Sequence, residues 1–384
     1  MSKIVLSDLK EIAQEVPVDL SRVVYPSYGR NMDDYNKGDV FVHPRGITVT
    51  KSFAIEFATQ FHEANPLYLN QPFAKAHGFR DLLISPMLVF NLALSMGVQN
   101  DSEKAVANLG YYNVKFVSPV YPEDTLRGYT RVLDVRDRGP DKPGIVTVRT
   151  VALNQEQKTV LQYDRKIMLR WAGKKSSPTT MVQKNLSEAG VDPSVEIPFT
   201  RDWPRDLTGV NTFFENFKTG DVIVHPNGRT ITDEHLPWTY RLLNTHPLHY
   251  DKLYAKGLSG KMSGEPIVYG GLVMAWLCGL ASRDVSENAL WDLGYTEGYH
   301  TQPAVSGDTI YAISRVLDKQ DTLPQAGVVT FQLIGVKNIR GFEAVEKFGA
   351  DLFLKEGSKA DSGKEKISEK IFEIERKLLV KKKT

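Results

Sequence analysis

An internal repeat constrains the fold of this chain more than any other feature of its sequence. The segment GDVFVHPRGITVT, which begins at Gly38, returns as GDVIVHPNGRTIT from Gly220. Further segments recur in the same order at a nearly constant spacing of roughly 180 residues, and the last pair is GIVTVRTVALN from Gly144 and GVVTFQLIGVKN from Gly327. Self-similarity that persists over most of a chain indicates a duplicated domain. The sequence therefore predicts two copies of one fold.

Each copy predicts one buried helix wrapped by an antiparallel sheet. The segments PMLVFNLALSMGV from Pro86 and GGLVMAWLCGLAS from Gly270 are apolar on nearly all faces, which is typical of a buried helix. Alternating polar and apolar residues follow each helix, as expected of strands. In the first copy these predicted strands are Tyr111 to Phe116, Asp124 to Val135, Ile145 to Asn154 and Val160 to Trp171. The predicted fold class is α+β.

The repeat also sets the predicted domain limits, which are 1–171 for the first copy and 200–355 for the second. Residues 172–199 between them have several Pro, Ser and Lys but few large apolar residues, which predicts an exposed linker. The tail, 356–384, holds nine Lys or Arg and six Asp or Glu. Its apolar residues lie three or four apart, at Ile367, Ile371, Ile374 and Leu378. This spacing predicts a charged amphipathic helix.

Composition excludes several classes of protein. The chain has 384 residues and a net charge of +2, from 48 basic and 46 acidic residues, so no strong field favours nucleic acid. No apolar run reaches the ~18 residues of a membrane-spanning helix, and the N-terminus lacks a signal-peptide pattern. The one cysteine, Cys278, cannot form an internal disulfide and is expected to be a small core residue. These features predict a cytoplasmic protein without membrane or nucleic-acid partners.

One loop of the second copy, LLNTHPLHYD, concentrates the unusual side chains: Asn244, His246, His249 and Asp251. A histidine can transfer protons near neutral pH, and an asparagine nearby can orient a water or a carbonyl group. The alternative is that these residues serve as turn and capping residues, because Asn and Asp are favoured in turns for backbone reasons. Asp251 fits this second role better.

The sequence VYGG places Tyr269, Gly270 and Gly271 at the start of the buried helix. The N-terminus of a helix presents unpaired N–H groups, and a glycine there lets a ligand oxygen approach the backbone. Such a site can stabilise the enolate oxyanion of a thioester. Alternatively, the glycines only allow a tight turn. The first copy has Pro86 at this point, which offers no N–H.

The first copy differs at the same positions. In its loop, FHEANPLYLN, Tyr68 stands where the second copy has His249, and His62 or Glu63 stands where it has Asn244. A glutamate beside a histidine could act as an acid–base pair. The loss of both the histidine and the glycines predicts instead a degenerate site that is retained for packing.

His300, in GYHTQP, replaces the apolar Phe116 of the first copy. A histidine at this strand position either lines the pocket or is a hydrogen-bonded core residue.

The order of these elements resembles the MaoC-like hot-dog hydratases, the R-specific enoyl-CoA hydratases and dehydratases. The elements are NPLYLN and HPLHYD, a buried helix that begins with Gly, and SPVYPEDTL from Ser118. The resemblance covers about Gly38 to Trp171 and Gly220 to Leu354. With NTHPLHYD, IVYGGLV and ALWDLGYTEGYH, the second copy is most similar to the mesaconyl-CoA hydratases, or methylmalyl-CoA dehydratases. The resemblance implies a tandem double hot-dog fold, in which two antiparallel sheets each wrap a central helix.

The resemblance also implies reversible addition of water to an enoyl-CoA thioester held between the copies. The family's aspartate and histidine activate the water, and a glycine N–H receives the thioester oxygen. By position, the histidine is His249, the glycine is Gly270 or Gly271, and the aspartate is replaced by Asn244. A carboxamide does not transfer protons at neutral pH. Either His249 works alone while Asn244 positions the water, or another carboxylate, such as Glu63, enters the site.

A neutral Asn244 suits a substrate that bears a carboxylate, such as mesaconyl-CoA, because an aspartate would repel it. We therefore expect hydration of mesaconyl-CoA to methylmalyl-CoA. The alternatives are an R-specific hydratase of uncharged acyl chains and a non-catalytic acyl-CoA-binding module. Besides Asn244, His249 and the two glycines, the predicted substrate-binding residues are His246, Tyr269, His300, Glu63 and Tyr68. We expect no metal, no cofactor apart from the coenzyme A of the substrate, and pairing of exposed sheet edges or faces into a homo-oligomer.

Overall fold

The apolar segments of the repeat form the predicted elements in the computed structural model, which describes residues 17–173, 193–198, 200, 203–258 and 264–383. Most of the predicted linker, 172–199, lies outside the described residues. The first copy contains β1 Val40–Val42, β2 Ile47–Thr48, α1 Lys51–Gln60, α2 Gln71–Ala76, α3 Pro86–Gly97, β3 Ala107–Phe116, β4 Thr125–Arg136, β5 Gly144–Leu153 and β6 Thr159–Leu169. The second contains β7 Val222–Thr230, α4 His235–Arg241, α5 Lys252–Lys256, α6 Gly270–Val285, β8 Ala289–His300, β9 Thr309–Leu323, β10 Ala326–Lys337, α7 Gly341–Phe348 and β11 Lys370–Lys381.

The two central helices, α3 and α6, form the core, as the all-round apolar pattern predicts. All residues of α3 and nearly all of α6 are buried. A helix buried on every side needs apolar residues around its whole circumference, because no face meets water. No helix in the described part of the chain is long and apolar enough to cross a membrane.

The strands of both copies form one antiparallel sheet in the order β1-β4-β5-β6-β3-β8-β11-β10-β9-β7, with β2 on β4. The second half repeats the strand order of the first half in reverse, starting from the junction between β3 and β8. At this junction Tyr111 pairs with Gly298, and Val114 pairs with Tyr295. The predicted tandem double hot-dog architecture is confirmed, and the junction brings one strand of each copy together at the centre of the sheet.

The predicted amphipathic helix in the tail is wrong, and so is the domain limit at residue 355. Strand β11 lies between β10 and β8 and pairs with both. Phe372, Leu378 and Val380 are fully buried. A strand covered on both faces carries apolar residues at odd and even positions, so spacings of three and four also occur in it. The second domain therefore extends through β11.

A shorter repeat identifies β11 as the counterpart of β6. Residues 164–169 read DRKIML, and residues 375–380 read ERKLLV. The spacing between these two segments exceeds that of the other repeats because α7 and several short turns lie between β10 and β11. The insertion hides the repeat, and four of the nine Lys or Arg residues of the tail belong to this inner strand.

Candidate active site

A cavity of about 490 Å³ lies where the two copies meet. The first copy contributes the end of α3 and parts of β3 and β6. The second copy contributes the loop before α5, the start of α6 and the end of β8. The polar residues that line the cavity are Ser102, Asn108, Tyr111, Arg165, Asn244, His246, His249, Tyr269, His300, Thr301, Gln302 and Lys366. We call this space the active cavity.

The loop after α4 brings Asn244, His246 and His249 to one wall of the active cavity. Its chain direction changes at Leu243, which has a left-handed backbone (φ 66°). Asn244 Oδ1 accepts the N–H of His246 at 3.0 Å, and a single helical turn, Pro247–His249, follows. The polar side chains of the loop thus hold its backbone as well as facing the cavity.

His246 is a capping residue of this turn. Its Nδ1 accepts the N–H of Leu248 at 3.2 Å, and its Nε2 donates to the carbonyl oxygen of Ala105 at 3.2 Å. Burial lowers the pKa of His246, so its ring is neutral near pH 7. Because both ring nitrogens form hydrogen bonds with backbone groups, His246 lines the cavity without a free polar atom. It can therefore contact a substrate only through packing of its ring.

His249 has the arrangement of a neutral base. Its Nδ1 donates to the carbonyl oxygen of Ile267 at 3.0 Å, which leaves Nε2 as the nitrogen with a free lone pair. Burial, assisted by the neighbouring His246, lowers the pKa of His249 to about 3. The ring also packs against Tyr269, with 5.4 Å between the ring centroids. His249 is therefore fixed in orientation and unprotonated near neutral pH.

Several polar atoms of residues that line the active cavity are buried without a hydrogen-bond partner among the described residues, and they include Asn244 Nδ2 and His300 Nε2. Asn244 Nδ2 is a donor, so it can hold the oxygen of a water molecule. Burial lowers the pKa of His300 to about 4. Of the two alternatives for His300, the structure supports the pocket-lining one.

The two glycines at the start of α6 have different surroundings. Gly270 lines the active cavity, and a Cβ on it would lie 2.6 Å from His300 Nε2. A Cβ on Gly271 would lie 1.8 Å from Asn91 Oδ1 on α3. Gly271 thus allows the two central helices to approach, and it is not among the residues that line the cavity, so of the two predicted glycines the structure favours Gly270. Gly270, the first residue of the helix, has an N–H with no intrahelical acceptor.

Comparison with known proteins identifies the family. The family model described as mesaconyl-CoA hydratase matches residues 17–341. The chain belongs to the mesaconyl-CoA hydratase family. A β-methylmalyl-CoA dehydratase of Chloroflexus aurantiacus is 30% identical over 295 residues, covering 76% of this chain and 83% of that protein. A mesaconyl-CoA hydratase of Cereibacter sphaeroides is 29% identical over 316 residues, covering 81% and 90%.

Solved structures show the same architecture. One is described as a MaoC domain protein dehydratase from Chloroflexus aurantiacus; it has a TM-score of 0.77 and 25% identity, and covers 93% of this chain and 98% of its own. A double hotdog protein from Mycobacterium tuberculosis has a TM-score of 0.68 and 21% identity, covering 91% and 98%. With its family, the chain is a hydratase or dehydratase, a hydro-lyase, and a non-catalytic binding module does not fit this assignment.

The corresponding pocket of the first copy is nearly closed, with a volume of only about 20 Å³. We call it the first-copy pocket; Tyr68, Phe116 and Trp291 line it. The indole of Trp291 donates to the carbonyl oxygen of Phe116 at 2.9 Å. The strand registers align Trp291 with Ala107 of the active cavity, so a large ring fills the space that a methyl group leaves open. This closed pocket agrees with the predicted degenerate site, and Tyr68 does not line the active cavity.

Glu63 also belongs to the first copy's own loop. The N–H of Glu63 donates to the carbonyl oxygen of Ala58, five residues earlier. In the second copy, the N–H of Asn244 donates in the same way to the carbonyl oxygen of Thr239, so Glu63 is the counterpart of Asn244. Glu63 Oε1 accepts the backbone N–H groups of the next two residues. Glu63 is not among the residues lining the active cavity, so the prediction that it serves the active site is wrong.

No Asp or Glu is among the described residues that line the active cavity of this family member. Asp251 is the half-buried N-cap of α5 and accepts the N–H groups of Leu253 and Tyr254. Cys278 is buried, and burial raises its pKa to about 12, which suits a core residue. Of the two explanations for the missing aspartate, the structure therefore supports His249 working with Asn244 as the partner that holds the water.

No local sequence pattern indicated the residues that the first copy contributes to the active cavity, above all Asn108, Tyr111 and Arg165. They lie on β3 and β6, far in sequence from the histidine loop. Only a comparison of the two copies could have indicated these residues, because each has a counterpart in the second copy with different surroundings.

Proposed function

We propose that the active cavity catalyses the reversible addition of water to mesaconyl-CoA, which gives β-methylmalyl-CoA. The family and the names of the two relatives support an enoyl-CoA substrate. The carrying observation is the charge of the cavity: its described lining has two cations, Arg165 and Lys366, and no acid, while its three histidines have lowered pKa values and are neutral near pH 7. Such a lining attracts a substrate with a free carboxylate.

In this proposal Asn244 and His249 share one water molecule. Asn244 Nδ2 is a buried donor without a partner among the described residues, and it donates to the water oxygen. His249 Nε2 accepts a proton of the water, whose oxygen attacks the β-carbon of the enoyl thioester. The bond from His249 Nδ1 to the Ile267 carbonyl oxygen stabilises the imidazolium that forms. A positioned base of this kind contributes about 10² to 10⁴ in rate.

Attack at the β-carbon moves an electron pair through the α-carbon onto the thioester oxygen. The N–H of Gly270 donates to this oxyanion, and the positive end of α6 adds to its stabilisation. His249 Nε2–H then returns its proton to the α-carbon, and the thioester carbonyl re-forms. Both the hydroxyl group and the added hydrogen come from water, so the proposal requires no metal or additional cofactor.

A hydratase assay on the full chain tests the proposal. Loss of the enoyl-thioester absorbance is followed with mesaconyl-CoA and with crotonyl-CoA, which has no free carboxylate. We expect kcat/KM to be at least about tenfold higher for mesaconyl-CoA, a difference on the order of one charge-assisted hydrogen bond. A preference for crotonyl-CoA would overturn the proposed substrate, and release of free CoA in place of hydration would identify a thioesterase.

The variant Asn244→Asp sharpens this assay. It restores an acid beside the water and adds a negative charge to the cavity. We expect the ratio of kcat/KM values to move toward crotonyl-CoA by about tenfold or more, because the new carboxylate repels that of mesaconyl-CoA. An unchanged ratio would contradict the electrostatic reason given for Asn244.

A further inference from the structure

Arg165 and Arg376 occupy equivalent positions in the two copies. Arg165 lies on β6 opposite Tyr111 of β3, and Arg376 lies on β11 opposite Tyr295 of β8. Both arginines are buried, with 2% and 6% of their surfaces exposed. Buried arginines are rare unless their charge is paired, because the loss of water is costly. The partners of the two arginines are therefore informative.

Arg376 has a carboxylate partner within the protein. Its Nε donates to Asp292 Oδ2 at 2.8 Å, and the hydroxyl of Tyr295 donates to the same oxygen at 3.3 Å. Asp292 is 1% exposed. This cluster lies close to the first-copy pocket, because Asp292 directly follows Trp291, which lines that pocket. An arginine and a tyrosine hold one carboxylate at this position.

The active cavity keeps the equivalent arginine and tyrosine, but an asparagine stands where the other copy has the aspartate. The strand registers align Asn108 with Asp292 and Tyr111 with Tyr295. Arg165 lines the cavity together with Asn108 and Tyr111.

At least one N–H donor of Arg165 is buried without a partner among the described residues. Its Nη2 donates to Ser102 Oγ at 3.0 Å, but its Nε is buried without a partner among the described residues. Within the described part of the chain, no carboxylate lies within 4.0 Å of Arg165. Asp101, next to Ser102, has His43 Nε2 at 3.4 Å and Arg30 Nε at 4.0 Å from its carboxylate oxygens.

We propose that Arg165, with the hydroxyl of Tyr111, binds the free carboxylate of the substrate and so determines specificity for carboxylated enoyl-CoA thioesters. The substrate carboxylate then takes the position that the Asp292 side chain has beside Arg376. A guanidinium group matches a carboxylate in shape and forms strong charge-assisted hydrogen bonds in a buried site. This inference deepens the proposed function and rests on it.

The test measures binding separately from turnover. Succinyl-CoA and butyryl-CoA have acyl chains of equal length and lack the double bond, and only succinyl-CoA has a free carboxylate. We expect calorimetry on the wild type to show at least about tenfold tighter binding of succinyl-CoA. Arg165→Gln should remove this preference. The matched control is Arg149→Gln, which breaks an ion pair with Asp164 on the same sheet away from the cavity and should keep it.

A second variant covers the case in which Arg165→Gln fails to fold. Asn108→Asp copies Asp292 and supplies Arg165 with a carboxylate from the chain, in an arrangement that the fold already accommodates beside Arg376. We expect this variant to lose the preference for succinyl-CoA by at least about tenfold. Retention of the preference in a folded Arg165→Gln or Asn108→Asp protein overturns the inference, as does a wild type with no preference.

The two proposals can fail separately. If the wild type hydrates mesaconyl-CoA while Arg165→Gln keeps its preference for succinyl-CoA, the role of Arg165 is wrong and the proposed function stands. If the preference depends on Arg165 but mesaconyl-CoA is not hydrated, the proposed function is wrong and the carboxylate-binding residue stands.

Discussion

The Nδ1 atom of His249 lies 3.0 Å from the carbonyl oxygen of Ile267 and donates to it. This single bond fixes the tautomer of the ring and directs Nε2 away from the backbone as the proton acceptor. Its partner Ile267 lies just before the VYGG turn, so the base and the start of α6 are tied together. Changes at either place should therefore affect the same reaction.

Replacing His249 by Ala should lower kcat by at least about a hundredfold, because the variant loses the only base we assign to the cavity. Steady-state hydratase kinetics measure this effect. Tyr68→Phe is the matched control, since Tyr68 has the equivalent position in the nearly closed first-copy pocket. Its activity should change by less than about twofold. The reverse order of effects would move the active site to the first copy.

The low pKa of His249, about 3, predicts an unusual pH profile. An exposed histidine has a pKa of about 6.5 and would lose its lone pair to a proton on acidification below that value. Burial keeps His249 unprotonated, so kcat/KM should stay within about twofold from pH 8 to pH 5. An acid limb centred near pH 6.5 would contradict this assignment, provided that activity is recovered on return to pH 7.5, which separates reversible titration from unfolding.

The same buried histidines should make stability depend on pH. In the unfolded chain His249 and His300 take up protons near pH 6.5, whereas in the folded chain their pKa values are about 3 and about 4. The unfolded state therefore binds more protons below pH 6.5, and stability that is complete above this pH falls as the pH approaches 4. Denaturant unfolding at pH 7.5 and 5.0 measures the loss, and His300→Phe, which copies Phe116, should reduce it.

The N–H of Gly270 can be tested with a pair of substitutions. Gly270→Ala adds a Cβ near His300 but keeps the N–H, while Gly270→Pro adds the same Cβ with two further ring carbons and removes the N–H. Proline suits the first position of a helix, and the extended backbone of Tyr269 (ψ 125°) permits it. We expect kcat of the proline variant to be about 10² to 10³ lower than that of the alanine variant. Equal rates would mean that this N–H does not stabilise the oxyanion.

Strand β11 predicts a large effect of a substitution near the C-terminus. Leu378 is fully buried, so Leu378→Ala should lower the free energy of unfolding by about 2 to 5 kcal/mol. Urea denaturation measures this change. Glu365→Ala, at an exposed position before the strand, should alter it by less than about 0.5 kcal/mol. Equal and small effects would mean that residues 370–381 are an appendage.

Sequence reasoning predicted the parts of the molecule that depend on local pattern and repetition. The duplication, the two buried helices, the histidine loop and Gly270 all come from residues close together in the chain. It failed for β11, because a strand buried on both faces and an amphipathic helix share spacings of three and four apolar residues. It also failed for Glu63 and Arg165, since only the β3–β8 junction decides which side chains of one copy face the other copy's loop.

The closed first-copy pocket sets the number of ligands that the molecule can hold. A symmetric pair of identical hot-dog units has two equal sites, and any substitution changes both at once. Here Trp291 and the Asp292 carboxylate fill one of them. A CoA thioester without a double bond should therefore bind with a stoichiometry of one molecule per chain. Duplication within a single polypeptide thus allows the two pockets to differ. Side chains fill the first-copy pocket, while the active cavity keeps its proposed catalytic residues.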